Sequence, residues 1–447
     1  MSGASGRAVR SAPVDSTRRA ALLAIVIVAL LLLTGFTQSW NTALIILNMG
    51  LISAVMALGV NLQWGLAGLF NVGIMGFVAL GGLAAVLMSM PPTAAAWSAG
   101  GARLVMALLL GAATLAAAAV LWRRTRAGTG RSVLMASLLL IGFVAYRWLL
   151  DPAADAIESV DPAATGYLGG LGLPVLLSWP VGGLLAAGAA WLIGKTALGL
   201  RSDYLAIATL GIAEIVIAVI KNEDWLSRGV KNVVGLPRPV PFEVDLQASE
   251  TFAGRARELG LDPVMASTLT VKLAYAGLFA VVLLILLVLA QRALHSPWGR
   301  MMRAIRDNET SASAMGKNVT ARHLQVFILG SAICGIAGAM LTTLDGQLTP
   351  GSYQPLRFTF LIWIMVIVGG SGNNVGAVLG GFLIWFLWVQ VEPIGQWLMV
   401  LITSGMADGS ALKAHLLASA AHMRLMTMGV ILLLVFRFSP RGLVPER

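Results

Sequence analysis

The sequence predicts an all-α fold, a polytopic transmembrane helix bundle of about 12 crossings that include short or broken helices. Three observations carry this expectation. The 447 residues are 58% hydrophobic and 11% charged, whereas a soluble domain has about 25% charged residues. Apolar runs close to the length that spans a bilayer recur along the whole chain. The basic residues sit in short loops between those runs, where the positive-inside rule places them. The 50 glycines fit closely packed transmembrane helices. A net charge of +11 would suit nucleic acid if it were gathered into a patch, but it is scattered, so no nucleic-acid partner is expected.

Residues 1–19 read as a cytosolic tail, and 20–438 as a single transmembrane domain. The run from Ala20 resembles the opening of a signal peptide behind Arg18 and Arg19. No small-x-small cleavage site follows Phe36, and a second apolar run starts near Ala43, so it reads as a retained first helix. Further spans are expected near 42–61, 66–88, 102–122, 132–150, 171–194, 203–221, 271–291, 323–343 and 423–438. With the N-terminus in the cytosol, the loop Arg123 to Arg131 falls inside with four arginines. The loop Asp151 to Asp161 then falls outside with four acids. A polar, proline-rich loop at 222–270 falls outside and could dock another protein. The loop 292–322 falls inside. The tail 439–447, with Arg441 and Arg447, belongs inside too, which requires two crossings within 358–392, broken at Gly369 to Gly376. This makes the chain a multi-pass membrane protein in contact with lipid.

The loop 292–322 holds the most informative stretch, SPWGRMMRAIRDNETSASAMG, Ser296 to Gly316. Ser296 suits an N-cap and Pro297 the first helical position. Trp298, Met301, Met302 and Ile305 form one apolar stripe at i, i+3, i+4, i+7, with Arg300, Arg303 and Arg306 mostly off it. Asp307, Asn308 and Glu309 then supply cap and first-turn chemistry for a second short helix, and Gly316 stops it. Either a basic helix on anionic lipid or a docking element for a cytosolic partner would fit this pattern.

That stretch and the helix after it are similar to the signature loop of branched-chain amino-acid ABC importer permeases of the LivM type. DYLAIATLGIAEI (Asp203 to Ile215), VGLPRP (Val234 to Pro239), VGGSGNNVGAVLGGFL (Val368 to Leu383) and the ending FRFSPRGLVPER agree in the family's order, and together they cover over a third of the chain. The resemblance implies that the loop is a coupling helix docking in an ATPase groove. Arg303, Arg306, Asp307, Asn308, Glu309 and Gly316 are then the coupling residues. It also implies a second related permease subunit, two ATPase subunits and an extracytoplasmic binding protein. The family's glycine-asparagine-glycine run before LPRP is replaced here by SRGVKNVVG. Residues 91–200 match poorly and are expected to be helices added to a common core.

Glu214 is an intramembrane charge near the middle of its span, a position expected to face the interior and be paired. It either braces a neighbouring helix or lines the path. Asn71, among Gly65, Gly68 and Gly73, either bonds across helices or meets a polar substrate. Tyr204 and Thr209 are weaker candidates on the Glu214 helix. Gly369, Gly370 and Gly372 form a break of the kind that marks transport sites, or else a plain cytosolic turn.

No catalytic residues, metal cluster or cofactor are expected. Cys334 stands alone, and the four histidines lack ligand spacing. GAAWLIGKT (Gly188 to Thr196) has one residue too many for a phosphate loop and lies in an apolar run. The functional expectation is a permease subunit importing branched-chain amino acids or a related small polar molecule such as urea or a short amide. The alternative is an ion-coupled secondary transporter, which also uses broken helices.

Overall fold

A computed structural model describes residues 16–406, 410–419 and 422–446. Arg7 and Arg10 of the expected N-terminal tail, and Arg447 of the expected C-terminal tail, lie outside the described residues.

The helices form where the apolar runs lie. They are α1 (Ser16–Thr37), α2 (Trp40–Asn61), α3 (Ile74–Ser89), α4 (Ala102–Arg124), α5 (Thr129–Glu158), α6 (Ser178–Ala197), α7 (Ser202–Asn222) and α8 (Pro263–His295). Two short helices follow, α9 (Pro297–Asp307) and α10 (Glu309–Ala314). The chain continues with α11 (Val319–Asp345), α12 (Pro355–Gly369), α13 (Asn374–Thr403) and α14 (Met423–Phe438). Among the described residues, nine helices are long and apolar enough to cross a membrane. The 16-residue α3 and 15-residue α12 are only about 24 Å and 22 Å long at 1.5 Å per residue, short of a hydrocarbon core of roughly 30 Å. With α14 they bring the apolar helices named here to twelve, and the protein is a multi-pass helical membrane bundle.

Taken as one crossing for each apolar helix, the path sorts the loops to two ends. One end gathers Arg123, Arg124, Arg126 and Arg131, the α9–α10 loop and Arg441. The other carries Asp151, Asp155 and Asp161 together with the loop between α7 and α8. In that loop β1 (Val233–Val234) pairs antiparallel with β2 (Gln347–Leu348), and the N–H of Leu236 donates to the Gly346 carbonyl at 3.1 Å. The loop therefore lies folded on the bundle.

The core is built on close backbone approach. A Cβ at Gly81 of α3 would lie 1.9 Å from the carbonyl oxygen of Gly335 in α11, and one at Gly338 would lie 1.9 Å from that of Val78. A Cβ at Gly335 would lie 2.4 Å from the carbonyl oxygen of Gly182 in α6. Helices this close gain dispersion contacts that lipid tails cannot match. This places α6 in the core, with Ala186 and Ala190 fully buried, and corrects the expectation that 91–200 holds only added helices. The addition is confined to α4 and α5, which pack chiefly on each other through Leu104, Ala107, Leu150 and Ala153. They expose residues such as Leu109, Leu115, Ile141 and Trp148. GAAWLIGKT lies inside α6.

The break at Gly369–Gly376 is a tight turn, with Gly370 at φ +121° and Gly372 at φ +86°. Gly372 is buried under Glu446 and Arg306. Glu158 accepts the Trp225 N–H at 3.2 Å. The exposed neighbours Ser371 and Ser159 are therefore better topology probes than either. Single cysteines there should label from opposite faces of oriented vesicles, with the fully buried Cys334 silent. Labelling from the same face would refute the twelve-traverse path.

Candidate functional site

The basic end is built around α9. Ser296 accepts the Gly299 N–H at 3.3 Å, and Pro297 stands at the helix start. Met302 and Ile305 are buried at 0% and 1% exposure, with Trp298 and Met301 half-buried beside them. That apolar stripe seats the helix under the bundle. Asn308 accepts the Ser311 N–H at 2.9 Å and so caps α10. Gly316, at φ +78°, ends it, and the Lys317 N–H returns to the Ala312 carbonyl at 3.2 Å, a close of the kind left-handed glycines permit.

Arg303 is half-buried, while Asp307, Asn308, Glu309 and Gly316 are exposed on this element. Arg306 differs. Its Nη1 contacts Glu446 Oε2 at 2.9 Å and donates to the Gly65 carbonyl, and its Nε donates to Asp307 Oδ1 at 3.3 Å. Gly65 belongs to a wide helical turn, Leu62–Leu66, that continues α2. Arg306 therefore ties α9 to α2 and to the C-terminal segment. Around it, Arg300, Arg303, Arg441, Ser371 and Glu446 line an open groove.

A chain of buried amides lies just inside this end. Asn61 donates to Asn374 Oδ1 at 2.9 Å and accepts the Gly372 N–H at 2.9 Å. Gln63 donates to the Phe327 carbonyl at 2.9 Å and to Ser331 Oγ at 3.0 Å. Asn71 Nδ2 donates to Gln63 Oε1 at 2.9 Å, and its Oδ1 accepts the Gly73 N–H at 2.9 Å. Thr209 accepts the Val72 N–H at 3.1 Å. Trp363 Nε1 donates to the Asn71 carbonyl at 3.1 Å. Apart from Asn374 Nδ2, which is buried without a partner, the side chains of this amide chain are bonded, and polar networks of this kind hold helices in one arrangement. They spread across α2, α3, α7, α11, α12 and α13 at the level of the glycine turn.

The structure thus brings Asn71 and Thr209 together, both 1–2% exposed, and sets Gly372 beside the same helices. Gly369 and Gly370 pack against Gly376 and Val444. Tyr204 and Glu214 lie elsewhere. Tyr204 is 61% exposed, and Glu214 shares an outward face of α7 with Ile207, Gly211 and Ile215. Among the described residues no side chain pairs with Glu214, so the expectation that it turns inward within this chain is corrected. Asn61, Gln63 and Glu446 went unnoticed in the sequence. The first two had a signal, amides in the run NLQW that closes a span. Glu446 had none, since its partner is 140 residues away.

Short buried helices, a glycine turn and a capped two-helix element at the basic end define a membrane-embedded permease. The family described as branched-chain amino acid transport system / permease component matches residues 153–436, and the chain belongs to it. It is 29% identical over 265 residues to the high-affinity branched-chain amino acid transport system permease protein LivM of Escherichia coli (strain K12), covering 58% of each chain. It is 28% identical over 157 residues to the probable branched-chain amino acid transport permease protein LivM of Methanocaldococcus jannaschii, covering 35% of this chain and 42% of that one. It is also 24% identical over 262 residues to the xylose transport system permease protein XylH of Escherichia coli (strain K12), covering 55% and 54%. The chain spans 58% of the length of the first of these relatives. No solved structure matches it.

Proposed function

We propose that this chain is one permease subunit of an importer in a bacterial cytoplasmic membrane, driven by ATP hydrolysis in two separate ATPase subunits. The observation that carries the reading is the α9–α10 element. Two capped helices, seated by Met302 and Ile305, present Arg303, Asp307, Asn308 and Glu309 at the basic end. A lipid-bound helix needs neither the Asn308 cap nor a second helix. The substrate proposed is a branched-chain amino acid or a related small polar molecule, delivered by an extracytoplasmic binding protein.

Glu214 supports a second, related permease subunit. A carboxylate in the middle of a span costs several kcal/mol against lipid unless it is covered. The described residues leave it uncovered, so a partner helix against the Gly211 face of α7 would shelter it and set Glu214 and Tyr204 on a shared path. Expression with the neighbouring genes and capture of this chain tests the assembly. Co-purified ATPases and ATP-dependent leucine uptake are expected, whereas uptake by this chain alone without ATP would favour an ion-coupled carrier. Glu214→Gln keeps the shape and removes the charge. It should lower uptake at least tenfold while the ATPases still co-purify. Loss of the second permease subunit instead would make Glu214 a structural contact.

A further inference from the structure

The end opposite α9 holds a cavity separate from the candidate site described above. It has a volume of about 190 Å³ and lies inside this one chain, among α2, α3, α11, α12 and α13. At about 30 Å³ per liquid water this is the room of roughly six waters, which suits a small molecule. Its floor is aliphatic and sulfur-bearing, with Ile52, Met56, Met75, Leu361, Ile362 and Met365 all buried. Methionine adapts to branched shapes with little loss. Its rim is polar: Asp345, Gln347 and Ser352 are exposed there, and Thr349 and Tyr353 stand beside them.

Several of these polar groups lack partners. Among the described residues no hydrogen bond or ion pair reaches the Asp345 carboxylate. The hydroxyl of Thr349 and the indole nitrogen of Trp385, both lining residues, are buried without a partner. Buried polar groups are nearly always satisfied, and each exception calls for an explanation such as an absent ligand. Gly346 lies between Asp345 and Gln347, and a Cβ there would be 3.8 Å from both Nε and Nη2 of Arg238. The other edge of that guanidinium is bound to Glu243, Nη1 to Oε2 at 2.9 Å. The Nε/Nη2 edge has no acceptor among the described residues. It is the edge that holds a carboxylate through two parallel bonds. A free carboxylate thus precedes, and a free guanidinium edge faces, the glycine that joins two lining residues of the aliphatic pocket. Tyr353, whose hydroxyl is within 3.0 Å of Thr342 Oγ1, is pushed up to about 12 by burial and stays neutral.

We infer that this cavity is a binding site for a zwitterionic amino acid with a short branched aliphatic side chain. The ammonium meets Asp345, the carboxylate meets the free edge of Arg238, and the side chain fills the methionine-lined floor. The inference deepens the importer reading, and rests on it only for the claim that the bound molecule is cargo. A sugar would offer the floor no aliphatic group and would leave both charges unpaired.

The test uses the purified full-length chain in lipid nanodiscs, with radiolabelled L-leucine as probe. Saturable binding is expected. Unlabelled L-leucine should compete at least tenfold better than 3-methylbutylamine, which lacks the carboxylate, or 4-methylpentanoate, which lacks the ammonium. D-xylose should not compete. Asp345→Asn and Arg238→Gln should each weaken leucine binding about tenfold or more, and Ser53→Phe, which fills the buried floor, should abolish it. If a variant is not monodisperse, the competition series on the unaltered chain still decides. Absent leucine binding, or equal competition by all three aliphatic compounds, overturns the site. Normal ATP-driven leucine uptake together with unchanged binding by Asp345→Asn would overturn the site and leave the importer reading intact. Leucine binding lost in Asp345→Asn, with no ATPase partner found, would do the reverse.

Discussion

Gly338→Val and Gly81→Leu should each abolish recovery of folded, monodisperse protein, while Gly188→Ala and Gly277→Ala should leave recovery unchanged or slightly raised. The contrast follows from what a side chain would meet. At Gly338 and Gly81 a Cβ would stand 1.9 Å from a backbone carbonyl oxygen of the facing helix, Val78 in one case and Gly335 in the other. A backbone oxygen cannot swing aside as a side chain does, so α3 and α11 would have to part along their length. Overpacking a soluble core costs about 1–3 kcal/mol, occasionally more. Here a larger cost is expected, because the seam is shared. Gly182 of α6 approaches Gly335 in the same layer, and parting one pair loosens the other. In a bilayer no hydrophobic force draws the parted helices back together, since lipid tails cover apolar faces, so the lost packing is what held them. At Gly188 and Gly277 a Cβ meets nothing within 4 Å, and alanine favours helix by about 1 kcal/mol. Size-exclusion chromatography of the four variants after heating checks this. Equal survival of all four would mean that the glycine seam is not what holds these helices.

The same contrast explains what the sequence could reveal. The positions of the apolar helices are a local property, set by run length, and they were legible. The caps at Ser296 and Asn308 were legible because each is written within four residues. The membership of α6 in the core was not, because Gly182 is tested only by residues distant in sequence, Gly81 before it and Gly335 and Ala339 more than 150 residues on. Glu214 misled for a different reason. The argument that a charge must be sheltered is sound, but it does not say by which chain, and α7 turns that carboxylate away from its own bundle. Asp345 drew no notice because it sits at the last residue of a span, where a carboxylate is unremarkable until the cavity floor is brought beside it.

Arg306→Glu should release the C-terminal segment and unseat α9, a different result from reversing Arg303. In the sequence the three arginines of α9 look alike, all off the apolar stripe and all free to meet a partner. In the structure Arg306 is 25% exposed and Glu446 27%, and the guanidinium also holds the Gly65 carbonyl where α2 widens. Breaking a fully desolvated charge pair costs about 2–5 kcal/mol. Partial exposure reduces this toward about 1–3 kcal/mol. Reversal is worse than truncation, because the new carboxylate would face Glu446, Asp307 and a carbonyl oxygen together. Exchanging the pair, Arg306→Glu with Glu446→Arg, restores the attraction but not the bond to Gly65, so partial rescue is expected. Hydrogen exchange over 440–446 in the purified chain reads the tether directly and needs no ATPase. Protection there should fall in Arg306→Glu, return in part in the exchanged pair, and stay normal in Arg303→Glu. In the assembled transporter, Arg303→Glu and Glu309→Lys should instead weaken ATPase retention with the tail still protected. Salt should weaken the tail contact less than the docking contacts, because the pair is only a quarter exposed. Unchanged protection in Arg306→Glu would show that the segment is held by the Leu443 and Val444 N–H bonds to the Val368 and Gly369 carbonyls and by their packing, and would return Arg306 to the docking face.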